Sequence, residues 1–204
     1  TLLSYYPSGI TKIGYEPADI APILGIERLQ IFRDFFSNKV WGSWGIPQAK
    51  IITCISVFYD LDDPNAFLQD IKKVLAPDGL FVIQQNYLPA MLENNAVDNI
   101  VHEHLTYYSV TTLAQLLAKH DLTIEDVQFN DLNGGSFRCY IRHYSYHKEH
   151  PNNRLFLDNI IENELVLHLH TLAPYKAFRD RVAEIVYRLQ TFIPIEKMNG
   201  RTTY

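Results

Sequence analysis

The chain has 204 residues, of which 47% are hydrophobic and 20% are charged, a composition typical of a folded globular protein rather than a disordered one. This length accommodates one large domain, or one domain with an appendage. The net charge of −5 argues against electrostatic binding to nucleic acid or to an anionic membrane.

Up to about residue 87, short apolar runs alternate with amphipathic runs, which predicts an α/β fold with a parallel sheet. The run ITKIGYEP predicts a strand that ends at Glu16. Residues 18–24 predict a helix, with Pro22 tolerated in its first turn. The run AKIITCIS, residues 49–56, is apolar enough to predict a strand that is buried on both faces.

The next segment, DDPNAFLQDIKKVLAPDG, predicts a helix with Asp63 as its N-cap, Pro64 at its first position and Gly79 at its end. Its apolar face consists of Phe67, Ile71, Val74 and Leu75. The run LFVIQQN, residues 80–86, predicts a third strand. Its last residues are polar, which fits the edge of such a sheet where ligands bind.

The second half of the chain predicts a helix, a hairpin and a helical arm. Ser109 predicts an N-cap for a helix that carries Val110, Leu113 and Leu117. The runs LTIEDVQF and SFRCYIRHY, joined by NDLNGG, predict a hairpin that closes the sheet. Beyond it, apolar residues spaced by three and four predict one long helix broken at Pro174, or two helices in succession, forming a tail or packing on another domain. We therefore predict a domain over residues 1–147 and a helical arm over residues 148–204.

The two cysteines, Cys54 and Cys139, lie in apolar strand-like runs, which predicts buried free thiols and a reducing compartment. Two cysteines are too few for a cysteine-based zinc site. The sequence shows no 18-residue apolar run and no signal peptide, so we expect a cytoplasmic protein.

Glu16 closes the first predicted strand and is a candidate ligand for a ribose. A carboxylate at that position can accept hydrogen bonds from both ribose hydroxyls. An ordinary surface glutamate fits the sequence equally well, because no glycine-rich loop precedes it.

The segment VHEHLTYY, residues 101–108, allows three interpretations. In an extended segment His102 and His104 would point to the same side, as metal ligands could, but two ligands are too few for a stable site. The histidines could instead serve only structural hydrogen bonds. The third interpretation is catalytic, because an imidazole beside the carboxylate of Glu103 is a competent general base.

The segment NGGSF, residues 133–137, predicts a tight hairpin turn, because Gly134 and Gly135 can adopt positive φ angles. Its glycines would also allow a substrate to approach the backbone closely.

Taken together, three segments resemble one family, the S-adenosylmethionine (SAM)-dependent C-methyltransferases that act on nucleotide-linked keto-deoxysugars. The segments are IGYEPADIA, the run from ISVFYDLDD to HEHLTYYS, and LNGGSFRCYIRH. The resemblance extends from about residue 1 to residue 143. It implies a class I methyltransferase domain, with a Rossmann-like, mostly parallel α/β sheet that ends in an antiparallel hairpin.

The resemblance also implies roles for individual residues. His104 would be the base that removes the hydrogen beside the ketone, with Glu103 close by. Residues at strand ends would bind the cofactor SAM: Glu16, Pro17, Ser56, Val57 and Phe58. Three aromatic residues would contact the substrate: Tyr87, Tyr107 and Tyr108.

Members of the family resemble three-part proteins, with an N-terminal zinc module, the methyltransferase domain and a C-terminal nucleotide-associated domain. The run TLLSYY resembles the helix that follows the family's cofactor loop, so we expect zinc only in a missing N-terminal module. These residues alone should therefore bind SAM weakly or not at all. Several relatives also carry a tyrosine immediately before HEH, where this chain has Val101. Tyr107 or Tyr108 could replace that phenol.

The sequence therefore predicts a methyltransferase in which His104 forms an enolate that attacks the methyl group. Two alternatives stay open. The chain could be a non-catalytic remnant or interaction module of the same fold, or it could methylate an acceptor that is not a sugar.

Overall fold

The computed structural model describes residues 2–18, 25–43, 45–147 and 151–202. The contacts divide the chain into two units, Thr1–Pro47 and Gln48–Tyr204. The division into residues 1–147 and 148–204 stays a prediction. Within the described ranges, no helix combines the length and the apolar character needed to cross a membrane.

The first unit contains two parallel strands, β1 (Lys12–Tyr15) and β2 (Leu29–Phe32), followed by the short helix α1 (Asn38–Ser43). The first predicted strand is confirmed, and it ends one residue before Glu16. The ring of Tyr15 stacks on the ring of Phe32 at 5.2 Å between centroids. The helix predicted over residues 18–24 lies almost entirely outside the described residues.

The second unit is built on a four-stranded sheet with the order β3-β4-β6-β5. Its strands are β3 (Ala49–Ile55), β4 (Leu75–Asn86), β5 (Leu122–Asn130) and β6 (Ser136–His143). The pair β3–β4 is parallel, whereas β6 runs antiparallel to both β4 and β5. The predicted α/β class and its closing hairpin are therefore confirmed.

The expectation that the strand over residues 49–56 is buried on both faces is wrong. Strand β3 lies at the edge of the sheet, where Ile51 and Ile55 are 51% and 37% exposed. Only Cys54 in this strand is buried. The apolar composition was consistent with a central strand, but burial depends on the neighbouring strands, which a local run of residues does not specify.

Helix α2 (Pro64–Val74) begins as predicted, because the Asp63 side chain accepts a hydrogen bond from the Ala66 N–H. Its predicted end at Gly79 is wrong, since strand β4 starts at Leu75. Gly79 instead lies within β4, where a Cβ atom would come within 2.9 Å of the Ala49 carbonyl oxygen. The glycine therefore allows close backbone packing rather than ending a helix.

Two further short helices frame the predicted HEH segment. Helix α3 (Leu88–Glu93) precedes it and helix α4 (Val110–Ala118) follows it. Ser109 caps α4 as predicted, and its hydroxyl accepts from the Thr112 N–H in a reciprocal capping box. The predicted apolar residues Val110, Leu113 and Leu117 are all buried.

The core of the second unit lies where the central strands meet α2 and α4. Its fully buried residues are Leu68, Ile71, Phe81, Ile83, Leu113, Leu117, Phe137, Cys139 and Ile141. Burying each large apolar side chain there stabilises the folded state by roughly 1.5 to 3 kcal/mol relative to leaving it exposed to water. Both cysteines are buried free thiols, as predicted. Burial raises the pKa of Cys54 to about 12, and it raises the pKa of Cys139 as well.

The helical arm consists of two helices in succession, α5 (Pro151–Val166) and α6 (Ala173–Met198). Pro174 lies in the first turn of α6, where its missing N–H costs no hydrogen bond. Phe178 of α6 joins a buried cluster with residues of α3. The Arg181 guanidinium donates to the carbonyl oxygen of Leu92 at 2.5 Å. The first half of α6 therefore packs on the helix that leads into the HEH segment.

Glu164 of α5 is a buried carboxylate at the N-terminus of α4. Its Oε1 accepts from the Val110 N–H at 2.7 Å and from the Tyr87 hydroxyl at 2.9 Å. Its Oε2 accepts from the Thr111 N–H at 2.8 Å. A negative charge at a helix N-terminus satisfies free backbone donors and interacts favourably with the helix dipole. Glu164 therefore fixes the arm to the end of β4 and to the start of α4.

We expect Glu164→Ala to lower the free energy of unfolding by about 3 kcal/mol, because three buried donors lose a charged acceptor. Glu162→Ala, on the exposed side of the same helix, is the matched control and should change it by less than about 0.5 kcal/mol. Urea unfolding followed by circular dichroism measures both variants. Equal midpoints and slopes for the two would contradict a stabilising role for Glu164.

Candidate active site

The HEH segment forms a turn on the surface rather than an extended strand. The side chains of His102 and Glu103 are 93% and 73% exposed, and their nearest charged atoms lie 3.9 Å apart. His104 is half-buried and faces the protein. The structure therefore separates the two histidines, which the extended arrangement would have placed on one side.

Asn99 holds this segment in place through its side chain. Its Oδ1 accepts from the Asn86 amide at the end of β4. Its Nδ2 donates to the carbonyl oxygen of Asn133 at 2.9 Å. Asn99 is buried, and both ends of its amide are hydrogen-bonded. The position of its backbone is therefore set by the end of β4 and by the NGG turn.

The backbone carbonyl of Asn99 in turn holds His104. It accepts hydrogen bonds from His104 Nδ1 at 2.8 Å and from the Tyr107 hydroxyl at 3.0 Å. Because a carbonyl oxygen can only accept, Nδ1 of a neutral His104 must carry the proton. The lone pair then lies on Nε2, so this nitrogen is the one that can take a proton.

A second contact surface for His104 is the turn Phe58–Asp60, which follows β3. The Tyr59 carbonyl oxygen accepts from the N–H groups of Leu105 and Thr106 at 3.0 and 3.1 Å. The Tyr59 ring lies 4.2 Å from the His104 ring between centroids. Backbone and ring contacts together therefore fix the imidazole against this turn.

The NGG turn packs so closely on α3 that side chains are excluded. Gly134 and Gly135 have φ angles of 78° and 119°. A Cβ atom on Gly134 would lie 2.6 Å from the Cβ of Ala96, and one on Gly135 would lie 2.4 Å from the Cβ of Ala90. The turn thus joins the two hairpin strands, as predicted, and also places the Asn133 carbonyl oxygen against Asn99.

The three tyrosines predicted to contact a substrate are all hydrogen-bonded within the protein. The Tyr87 hydroxyl donates to Glu164, and the Tyr107 hydroxyl donates to Asn99. Tyr108 is buried and interacts with the side chain of Thr106. Burial raises the pKa of each of these phenols. Their contacts with a substrate stay a prediction.

The strand-end residues predicted to bind a cofactor lie in two places. Ser56 has a positive φ of 53°, which is uncommon for a residue other than glycine, and Val57 is exposed. Phe58 is fully buried, so its backbone is the part that can face a ligand. In the first unit, Glu16 Oε1 accepts from the Ala18 N–H at 3.0 Å and Pro17 is exposed. Cofactor binding by these residues stays a prediction.

Four residues of this site were given no individual role from the sequence: Asn86, which belongs to the polar end noted for residues 80–86, and Asn99, Tyr59 and Asp60. Asn86 and Asp60 follow apolar strand runs, where ligand-binding residues of α/β sheets occur, so their position was a usable signal. Asn99 gave no signal, because its contact with His104 uses a backbone atom. Within the described part of the chain, no three histidine, cysteine or carboxylate side chains are grouped to hold a metal ion.

Two family models match the chain. Residues 2–127 match a methyltransferase domain, and residues 131–204 match a C-methyltransferase C-terminal domain. The C-methyltransferase NovU of Streptomyces niveus is 38% identical over 88 residues, which are 43% of this chain and 21% of NovU. The matched part therefore spans about a fifth of the length of this relative.

Among solved structures, LepI in complex with SAM has a TM-score of 0.51 at 14% identity, covering 65% of this chain and 36% of LepI. The mitomycin 7-O-methyltransferase MmcR has a TM-score of 0.38 at 20% identity, covering 48% of this chain and 31% of MmcR. At 14% identity the similarity to LepI concerns the fold alone.

We expect neutral His104 to carry its proton on Nδ1, because this atom donates to the Asn99 carbonyl oxygen. Long-range ¹H–¹⁵N NMR of the labelled chain distinguishes the two tautomers directly. His102, which is exposed, is the internal control and should show the mixture typical of a solvated imidazole. A proton on Nε2 of His104 would contradict the assigned hydrogen bond.

We expect Gly135→Ala to lower the free energy of unfolding by about 2 to 4 kcal/mol, from overpacking together with the positive φ. Ala90→Gly removes the methyl group that the new Cβ would meet, and alone costs about 1 kcal/mol. The double variant should therefore be more stable than the sum of the single effects predicts. If the changes in unfolding free energy of the two single variants simply added in the double variant, the close contact between the turn and α3 would not be the reason for glycine at position 135.

Proposed function

The chain belongs to the methyltransferase domain family and has the α/β fold of class I methyltransferases, and on this premise we propose that it carries the reaction site of a SAM-dependent C-methyltransferase. The C-methyltransferase descriptions of the C-terminal match and of NovU support carbon as the methylated atom. The proposed acceptor is the carbon next to the ketone of a nucleotide-linked keto-deoxysugar. This choice follows from the resemblance carried by the HEHL and NGGS segments.

The observation that carries the proposal is the hydrogen bond from His104 Nδ1 to the Asn99 carbonyl oxygen. It leaves the Nε2 lone pair to act as the base, and the fixed Tyr59 and Asn99 contacts orient the ring. General bases work best when the ring cannot turn away from the proton that it removes. A half-buried, oriented imidazole meets this requirement, whereas the exposed His102 does not.

The proposed reaction begins when Nε2 of His104 takes the hydrogen from the carbon beside the ketone. The C–H bonding electrons form the C=C bond of the enolate. With a methyl donor bound, the enolate carbon would form a C–C bond to the methyl group as the C–S bond of the sulfonium breaks and its electron pair stays on sulfur. The enolate oxygen needs a hydrogen-bond donor. The Tyr107 hydroxyl can donate there only by leaving Asn99, and the side chain of Val101, where relatives carry a tyrosine, has no donor. Glu103 lies beside His104 in the sequence and is proposed to assist it from the surface.

The cofactor's contribution, when it is bound, is an electrophilic methyl group on a sulfonium. The residues proposed to hold it have suitable chemistry. The Glu16 carboxylate accepts a hydrogen bond from the Ala18 N–H, and a carboxylate can accept several more, as two ribose hydroxyls require. Val57 is exposed and leaves apolar surface at the end of β3 open to a ligand, whereas the Ser56 N–H already donates to the Gln84 carbonyl oxygen at 2.8 Å.

The proposal predicts that His104→Asn abolishes most solvent deuterium exchange at the carbon beside the ketone, measured by ¹H NMR on a panel of nucleotide-linked keto-deoxysugars. A general base typically contributes about 10² to 10⁴-fold in rate. Exchange reports proton removal even when no methyl group is transferred, so the assay does not require bound SAM.

His102→Asn is the matched control, because it makes the same change on the exposed neighbour, and it should retain most of the exchange. Melting temperatures of both variants should stay close to that of the parent. If the His104 variant exchanged at the parental rate, the base would be another group. If the parent exchanged no substrate of the panel, a non-catalytic remnant or a non-sugar acceptor would be the better account.

A further inference from the structure

Asp60 has a buried carboxylate oxygen that the reaction described above does not use. It is the last residue of the turn Phe58–Asp60, and its N–H donates to the Val57 carbonyl oxygen at 3.0 Å. Its Oδ1 is shielded from solvent and has no hydrogen-bond partner among the described residues. Leaving a buried acceptor unpaired is unfavourable, so such groups in native proteins call for a functional explanation.

Asp60 lies in the turn that contacts His104, and this position suggests a functional role for its carboxylate. The adjacent residue, Tyr59, provides both the backbone carbonyl that anchors Leu105 and Thr106 and the ring that packs on His104. Asp60 is thus the next residue in the chain after the one whose ring contacts His104, and a positive charge on His104 lowers the pKa of Asp60. The same turn thus positions the imidazole and brings a negative charge near it.

The other ionisable groups around Asp60 do not neutralise it. Burial raises the pKa of Asp60, a positive charge on His104 lowers it, and Glu103 raises it. Cys54 and Tyr59 stay protonated near neutral pH, since burial raises the pKa of both. Glu103 is largely exposed, so solvent screens its repulsion. Of His104, Cys54, Tyr59 and Glu103, only His104 becomes positively charged on protonation, so it is the one that gives Asp60 an opposite charge.

We propose that Asp60 is the counter-charge of His104: its partly desolvated carboxylate stabilises the imidazolium that forms when His104 takes a proton from the substrate. This inference rests on the proposed function. The C–H bond breaks, its proton passes to Nε2, its electron pair forms the C=C bond of the enolate, and the π pair of the carbonyl moves onto the enolate oxygen. Asp60 takes no proton. It is a positioning residue that acts through His104, as a fixed charge arranged before the reaction begins.

The first test needs no substrate. The side-chain carboxyl carbon of Asp60 is titrated by ¹³C NMR in the parent chain, in His104→Gln and in His102→Gln. Histidine side chains are ordinarily charged at the acidic pH where a carboxylate titrates. Losing the charge on His104 should therefore move the Asp60 midpoint to higher pH, whereas the exposed His102 should have little effect. Equal midpoints in the two variants would overturn the inference.

The second test uses the deuterium exchange assay. Asp60→Asn should slow exchange by about 10 to 10²-fold, less than the loss expected for His104 itself. Asp62→Asn removes the same charge two residues away on the exposed surface and should leave the rate unchanged. Parental exchange in a folded Asp60→Asn variant would overturn the inference.

The two tests separate the failure of this inference from the failure of the proposed function. A parent chain that exchanges no keto-deoxysugar would overturn the function, whatever the titration shows. An active parent with unchanged Asp60 midpoints would retain the function and overturn the role of Asp60. A shifted midpoint together with slower exchange in Asp60→Asn supports both.

Discussion

The hydrogen bonds of Asn99 are the constraint on which the rest of the candidate site depends. Its side chain connects the end of β4 with the NGG turn, and its backbone carbonyl accepts from both His104 and Tyr107. The end of β4, the HEH segment and the NGG turn thereby meet at one buried residue. The orientation of the imidazole then follows from the sheet, because the sheet determines where Asn99 lies.

The helical arm contributes to this arrangement from outside. Glu164 occupies the N-terminus of α4, the helix that follows the HEH segment, while Phe178 and Arg181 pack on α3, the helix that precedes it. The buried charge of Glu164 is tolerable because three donors surround it. The loop that carries His104 is therefore held at both ends by helices of the arm, to which the sequence analysis assigned no chemistry.

Sequence patterns predicted the elements whose signals are local. The Asp63 cap, the Ser109 cap and the hairpin around NGG each depend on residue type and spacing within a few positions, and all three occur in the structure. The apolar run of β3 wrongly predicted burial on both faces, because the place of a strand in the sheet depends on the whole sheet and not on the local sequence. Sequence patterns also missed Asn99 and Asp60. A backbone carbonyl acceptor leaves no trace in residue type. The position of Asp60 after β3 is a signal of a ligand-binding edge, but the sequence does not show that its carboxylate is unpaired.

The burial of Cys54 has a consequence for chemical selectivity. This thiol lies two residues before Ser56, in the strand that leads to the proposed cofactor segment. A thiolate is a far better nucleophile than a thiol, so an ionised cysteine beside a methyl donor would compete with the enolate and become alkylated. With its pKa raised to about 12, Cys54 stays protonated. A protonated Cys54 would therefore not compete with the enolate for a methyl donor held by the proposed cofactor segment.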